Sequence, residues 1–128
     1  MKPLGIHLLI EYYGCRPYLL NDCDMVRRSL LEAAAACGAK VLDHSFHHFS
    51  PQGVSGVVVI AESHIAIHTW PEHRYAAVDI FTCGENVNPW EAHAKLKELL
   101  GAEESTVNEV VRGERFGTGN KLKLLNKL

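Results

Sequence analysis

Apolar and polar residues alternate at period two along several stretches of this 128-residue chain. Two further stretches run at helical spacing. Residues 4–13 set Ile6, Leu8, Ile10 and Tyr12 against Gly5, His7, Leu9 and Glu11, which predicts a strand with one apolar face. The CRPYLLND stretch reads as a loop. Val26, Leu30, Ala33 or Ala34, and Cys37 then recur at helical spacing, so a helix is expected over 23–37 with Gly38 as its stop. Residues 39–49 return as a strand that ends in the turn Ser50-Pro51-Gln52-Gly53. Three strands follow at 54–60, 65–70 and 75–82, joined by the short connections AESH and PEHR into an antiparallel meander. Asn88-Pro89-Trp90-Glu91 supplies a cap residue, a proline at the first helical position and an early glutamate, so a second helix should run to Leu100 before Gly101. Residues 103–111 are a weaker strand candidate, and the tail GERFGTGNKLKLLNKL has no firm period and is expected to be partly mobile. With no repeat and no linker, these elements predict a single domain over 1–128 of the α/β (α+β) class. Its expected form is a two-layer sandwich of a mainly antiparallel sheet with two helices on one face.

The meander divides its side chains unequally. If Ile60 pairs with Ile65, and Trp70 with Tyr75, one face carries Val54, Val58, Ile60, Ile65, Ile67, Ala76, Val78 and Ile80, an apolar set that the helices must cover. The other face carries Ser55, Val57, Val59, Ala66, His68, Trp70, Tyr75, Asp79, Phe81 and Cys83, where apolar and reactive groups mix. In this register Ser55 lies opposite Trp70 and diagonal to His68, and Cys83 lies opposite Glu62. Ser55, His68 and Cys83 are therefore expected to converge on the loop that contains Glu62 and Ser63.

Composition narrows the function classes. A net charge of -2 with 47% hydrophobic residues gives no electrostatic case for nucleic acid or an anionic membrane. No apolar run approaches the ~20 residues a span needs, and the N-terminal pattern is broken by Glu11, so a soluble, cytoplasmic protein is expected. The cysteines at 15, 23, 37 and 83 show no CxxC spacing and would stay reduced in that compartment. Eight histidines are in excess, and His44, His47, His48, His64 and His68 could supply nitrogen ligands to zinc or iron. Against that reading, His47 and His48 point to opposite faces of a strand and no carboxylate completes an obvious triad, so no metal is expected. A non-catalytic dimeric binding module is a third reading, in which the mixed face is only an interface.

A lone Glu-Ser on a tight hairpin is usually a polar turn. Here the pair stands within GVSGVVVIAESHIAIHTWPEHRYAAVDIFTCG, from Gly53 to Gly84. That segment closely resembles the central signature of bacterial S-adenosylmethionine decarboxylases, with Glu-Ser, His-Thr-Trp-Pro-Glu and Phe-Thr-Cys-Gly in order. The resemblance implies that Ser63 attacks the carbonyl of Glu62 and that the chain separates into 1–62 and 63–128, the second piece beginning with a pyruvoyl group. Such a group would hold the substrate's amine as a Schiff base and serve as an electron sink. The resemblance further implies His68 as the processing base, Ser55 as its helper, and Cys83 as the proton donor. A thiol suits that last role because its reference pKa of ~8.5 leaves it largely protonated near neutral pH. Phe49 and Glu72 match positions that stack on the adenine and bond the ribose, and Trp70 is added as a further candidate for substrate binding. Relatives are homodimers, so the mixed face would border a site shared between protomers. The expected function is decarboxylation of S-adenosylmethionine for spermidine and other polyamines. Relatives can also decarboxylate ornithine or arginine, and His48 stands where relatives often have arginine.

Overall fold

The computed structural model of the chain describes residues 4–83 and 86–116. Six strands form one sheet: β1 (Gly5–Tyr13), β2 (Lys40–His48), β3 (Val54–Ala61), β4 (Ser63–Trp70), β5 (Tyr75–Thr82) and β6 (Glu104–Arg112). Their spatial order is β2-β3-β4-β5-β1-β6 with every neighbouring pair antiparallel. Among the described residues, three α-helices accompany the sheet: α1 (Pro17–Leu20), α2 (Cys23–Ala36) and α3 (Pro89–Leu100). None of the described helices is long and apolar enough to cross a membrane.

The helices begin and end where their side chains require. The Asp22 carboxylate accepts from the Met25 amide to open α2, and the Asn88 side chain accepts from the Trp90 amide to open α3, with Pro89 in its first turn. Gly101 closes α3 at φ 66°, in the left-handed region that glycine enters without penalty. The expected two-layer sandwich is what the chain forms. Val26, Leu30, Ala33 and Ala34 of α2 and Ala92, Leu96 and Leu100 of α3 are buried against Leu8, Ile10, Tyr12 and the whole predicted apolar set of the meander. At the β2 edge, Phe46 packs over Gly56, where a β-carbon would lie only 1.9 Å from its ring, so this cross-strand pair needs glycine.

Three expectations change. The CRPYLLND segment contains α1, a four-residue helix that buries Leu19 and Leu20 and was too short to show a period. The β3–β4 ladder is also tighter than expected: Ile60 faces Ser63, Val58 faces Ile65, and Ser55 faces His68 directly. The chain continues pairing nearly to the turn instead of opening a four-residue loop. Because this shift is two residues, each side chain keeps its face. Third, Ser55 and His68 do not converge on the Glu62-Ser63 turn with Cys83, since both sit at the other end of the hairpin. The tail expected to be mobile falls from residue 117 onward outside the described residues.

Candidate active site

Reactive residues gather in two separate groups, at opposite ends of the β3–β4 hairpin. The first surrounds the β3–β4 turn. Ser63 begins β4 at φ 132°, a backbone conformation that costs a non-glycine residue about 1–3 kcal/mol and must be imposed by its surroundings. One such restraint is cross-strand: the Cys83 amide donates to the Glu62 carbonyl oxygen at 3.3 Å, as the β4–β5 pairing of Ser63 with Thr82 requires. This N–H points at the oxygen that would become negative if a nucleophile added to the Glu62 carbonyl. Sequence reasoning placed Cys83 here for its thiol and missed its amide, because a backbone donor leaves no mark in residue type.

Cys83 also differs from the two buried cysteines. Burial pushes the Cys15 thiol up to about 11, against a smaller opposing effect of Arg74, and burial raises Cys37 as well. Both are packed as small apolar side chains. Cys83 is half-buried beside the turn.

The second group lies at the far end of β3 and β4. The Ser55 hydroxyl and His68 Nδ1 are 2.8 Å apart, joined directly across the ladder. They line a cavity of about 290 Å³ together with Phe49, Gln52, Gly53, Thr69, Trp70 and Glu72. Five of the residues proposed from sequence thus share one cavity. Phe49 and Trp70 are exposed at its rim, and Trp70 stacks on Tyr75 with ring centroids 5.3 Å apart, which gives that side chain a packing role as well.

These two groups are not in contact within one chain. Ser63 and His68 are five residues apart on the same extended strand, roughly 16 Å at ~3.3 Å per residue. Proton transfer needs heavy atoms within about 3 Å, or one intervening water. Within a single chain the Glu62-Ser63 turn and the Ser55–His68 pair therefore stand apart.

The structure also corrects the argument made against a metal. A carboxylate does complete a triad: His7, His64 and Asp79 bring their ligand atoms within 4.8 Å of one another. His64 Nε2 and His7 Nε2 lie 2.8 and 3.3 Å from the same Asp79 oxygen. Their hydrogen bonding explains the cluster without a cation. Arg112 lies 3.0 Å from His7 Nδ1, and a guanidinium can only donate, so Nδ1 accepts and the His7 proton sits on Nε2, directed to Asp79. Metal on Nε2 would move that proton to Nδ1 and set it against Arg112. The triad is better matched to a hydrogen-bonded brace between β1, β4 and β5 than to a metal centre.

The family model described as S-adenosylmethionine decarboxylase matches residues 6–113. A relative named S-adenosylmethionine decarboxylase proenzyme from Acetivibrio thermocellus is 56% identical over 113 residues, covering 88% of this chain and 91% of its own. One of the same name from Caldanaerobacter subterraneus subsp. tengcongensis is 54% identical with the same coverage. Among solved structures, the adenosylmethionine decarboxylase of Aquifex aeolicus superposes with a TM-score of 0.83 at 33% identity, over 88% of this chain and 93% of that one. By the family match and by these relatives, the chain belongs to the S-adenosylmethionine decarboxylase family.

Proposed function

We propose that this chain decarboxylates S-adenosylmethionine, supplying the aminopropyl donor of polyamine synthesis, after cutting itself between Glu62 and Ser63 into pieces 1–62 and 63–128. The observation that carries the reading is the hydrogen bond from the Cys83 amide to the Glu62 carbonyl beside a serine held at positive φ. The Ser63 hydroxyl adds to that carbonyl carbon, and the amide N–H bears part of the charge that develops on the oxygen. The C–N bond then breaks, leaving Glu62 as an ester on the serine oxygen and freeing the nitrogen of residue 63. His68 removes the α-proton of residue 63 so that the ester departs as the Glu62 carboxylate; water enters and ammonia leaves. Ser55 fixes the imidazole through Nδ1, which leaves Nε2 for this proton.

A pyruvoyl group at residue 63 supplies an electrophile for the substrate amine and a sink for the electron pair left when carbon dioxide departs. This chain's own residues bind and orient around it. The Phe49 ring offers a face to the adenine, Glu72 accepts from the ribose hydroxyls, and Trp70 extends the aromatic wall. The Cys83 thiol returns a proton to the carbon that lost carbon dioxide.

The distance between Ser63 and His68 is reconciled by a homodimer. Two copies packed open face to open face about a two-fold axis can set the Ser55–His68 cavity of one against the cleavage turn of the other. Leu9, Val59 and Trp70, exposed on this face of a single chain, suit such burial.

An intact mass measurement of the denatured protein, paired with an assay of carbon dioxide release, tests the proposal. Two pieces meeting between Glu62 and Ser63 are expected, the second lighter by one ammonia than a serine-started peptide. Release is expected from S-adenosylmethionine and not from ornithine or arginine. Ser63→Ala should remain one chain; if it cleaves efficiently, the assignment of the cofactor to residue 63 is wrong.

A further inference from the structure

Asn21 follows α1 and belongs to neither group of reactive residues, yet its side-chain oxygen accepts two hydrogen bonds, one from Gly53 in the cavity wall and one from His48 beside Phe49. The Gly53 amide donates to it at 2.9 Å, and His48 Nε2 lies 3.0 Å away and, facing an acceptor, carries the proton. These donors stand on the two legs of the 48–53 loop, which the Phe49 amide closes by donating to the Gly53 carbonyl at 2.8 Å. One oxygen thus holds both legs. Gly53 can turn its amide toward Asn21 because it stands at φ 104°, a conformation that a β-carbon would oppose.

The adjoining residue reinforces the hold. The Leu20 carbonyl accepts from the buried Thr69 hydroxyl at 2.8 Å, and the same hydroxyl accepts from the Val54 amide at 2.8 Å. Leu20 and Asn21 together therefore tie the end of α1 to Gly53 and Val54, immediately before Ser55. Phe49 and Gln52 ride on the loop so held and form the outer wall of the cavity.

We propose that Asn21 is a positioning residue: it sets the aromatic wall of the cavity, and so the affinity for the nucleoside end of the substrate, without touching the substrate. The proposal rests on the reading that an adenosyl group occupies this cavity. Asn21→Ala removes the shared acceptor, whereas Asn21→Asp keeps an oxygen for both donors.

Steady-state kinetics with S-adenosylmethionine and amide hydrogen exchange by NMR test it on the purified full chain. In Asn21→Ala, KM should rise about tenfold, the worth of one to two net hydrogen bonds, with a much smaller change in kcat and in self-cleavage. Asn21→Asp should restore KM to near the unaltered value. Gly53 amide exchange should quicken about tenfold in Asn21→Ala while Val58, in the middle of β3, keeps its protection. An unchanged KM in an active protein, or equal losses of kcat and cleavage, would overturn the proposal. If the unaltered protein releases no carbon dioxide from S-adenosylmethionine, the substrate reading fails, and Gly53 exchange still decides whether Asn21 holds the loop.

Discussion

The covered and open faces of the sheet are made by alternate residues of the same strands, and they respond differently to loss of a side chain. On the covered face Val58, Ile65, Ile67 and Ile80 are fully buried, and truncating a residue of this kind costs about 2–5 kcal/mol through lost contacts and the cavity left behind. On the open face His68 is exposed and Ser55 and Cys83 are half-buried, so their loss removes little packing, and under the proposed function it removes chemistry. Period two lets one hairpin serve both purposes: Ile65 and Ile67 anchor β4 while Ala66 and His68, alternating with them, stay accessible. Under the proposed function, the two ends of β4 are half-sites that a second copy of the chain brings together.

The largest effect that could break this picture comes from mixing two inactive variants. Ser63→Ala lacks the proposed nucleophile and His68→Ala the proposed base, so each alone should remain an uncleaved single chain. If the open faces meet in a dimer, a co-expressed pair places the intact His68 of one chain against the intact Ser63 of the other. Cleavage of the His68→Ala chain, and of that chain alone, is the expected result on a denaturing gel or by mass. No cleavage in a demonstrated mixed dimer would mean that His68 serves its own chain, and the two-half-site account would be wrong.

Cys83→Ala gives a smaller effect and separates two functions of one residue. The amide that bonds Glu62 remains in the alanine variant, so cleavage should proceed, whereas turnover should fall about 10²-fold or more for want of the proposed proton donor. Comparing the gel with carbon dioxide release checks this. Parallel loss of cleavage and turnover would show that the thiol itself is needed for processing.

Much of this division is legible in the residues. The alternation in 54–60, 65–70 and 75–82 assigns both faces correctly, because a two-residue error in register leaves every side chain on its own side. For the same reason alternation cannot determine register: it set Ser55 opposite Trp70, whereas the structure sets it opposite His68. The four residues of α1 make a single turn and carry no period, although Leu19 and Leu20 are buried. The donor from Cys83 to Glu62 belongs to the backbone, and the bonds of Asn21 span 27 and 32 residues, so neither leaves a local pattern. Asp79 was placed on the reactive face, but its meeting with His7 required β1 to lie beside β5, a neighbour relation that strand patterns do not encode.

The smallest effect sharpens the comparison from the covered side, at a polar contact between β1 and α3. Tyr12, fully buried on β1, places its hydroxyl 2.7 Å from His93 Nδ1 of α3 and 3.1 Å from the His93 carbonyl. Burial, assisted by Lys97 nearby, lowers the His93 pKa below its ordinary value near 6.5. The unfolded chain therefore takes up this proton first as pH falls, and the folded state loses stability through that window and regains it as pH rises. Thermal melts between about pH 7.5 and pH 5.5 should show a decline in Tm that is shallower in His93→Gln, with self-cleavage unaffected because His93 lies on the other side of the sheet. An equally steep decline in both proteins would place the responsible group elsewhere, and a change in cleavage would show that the two faces are coupled through β1.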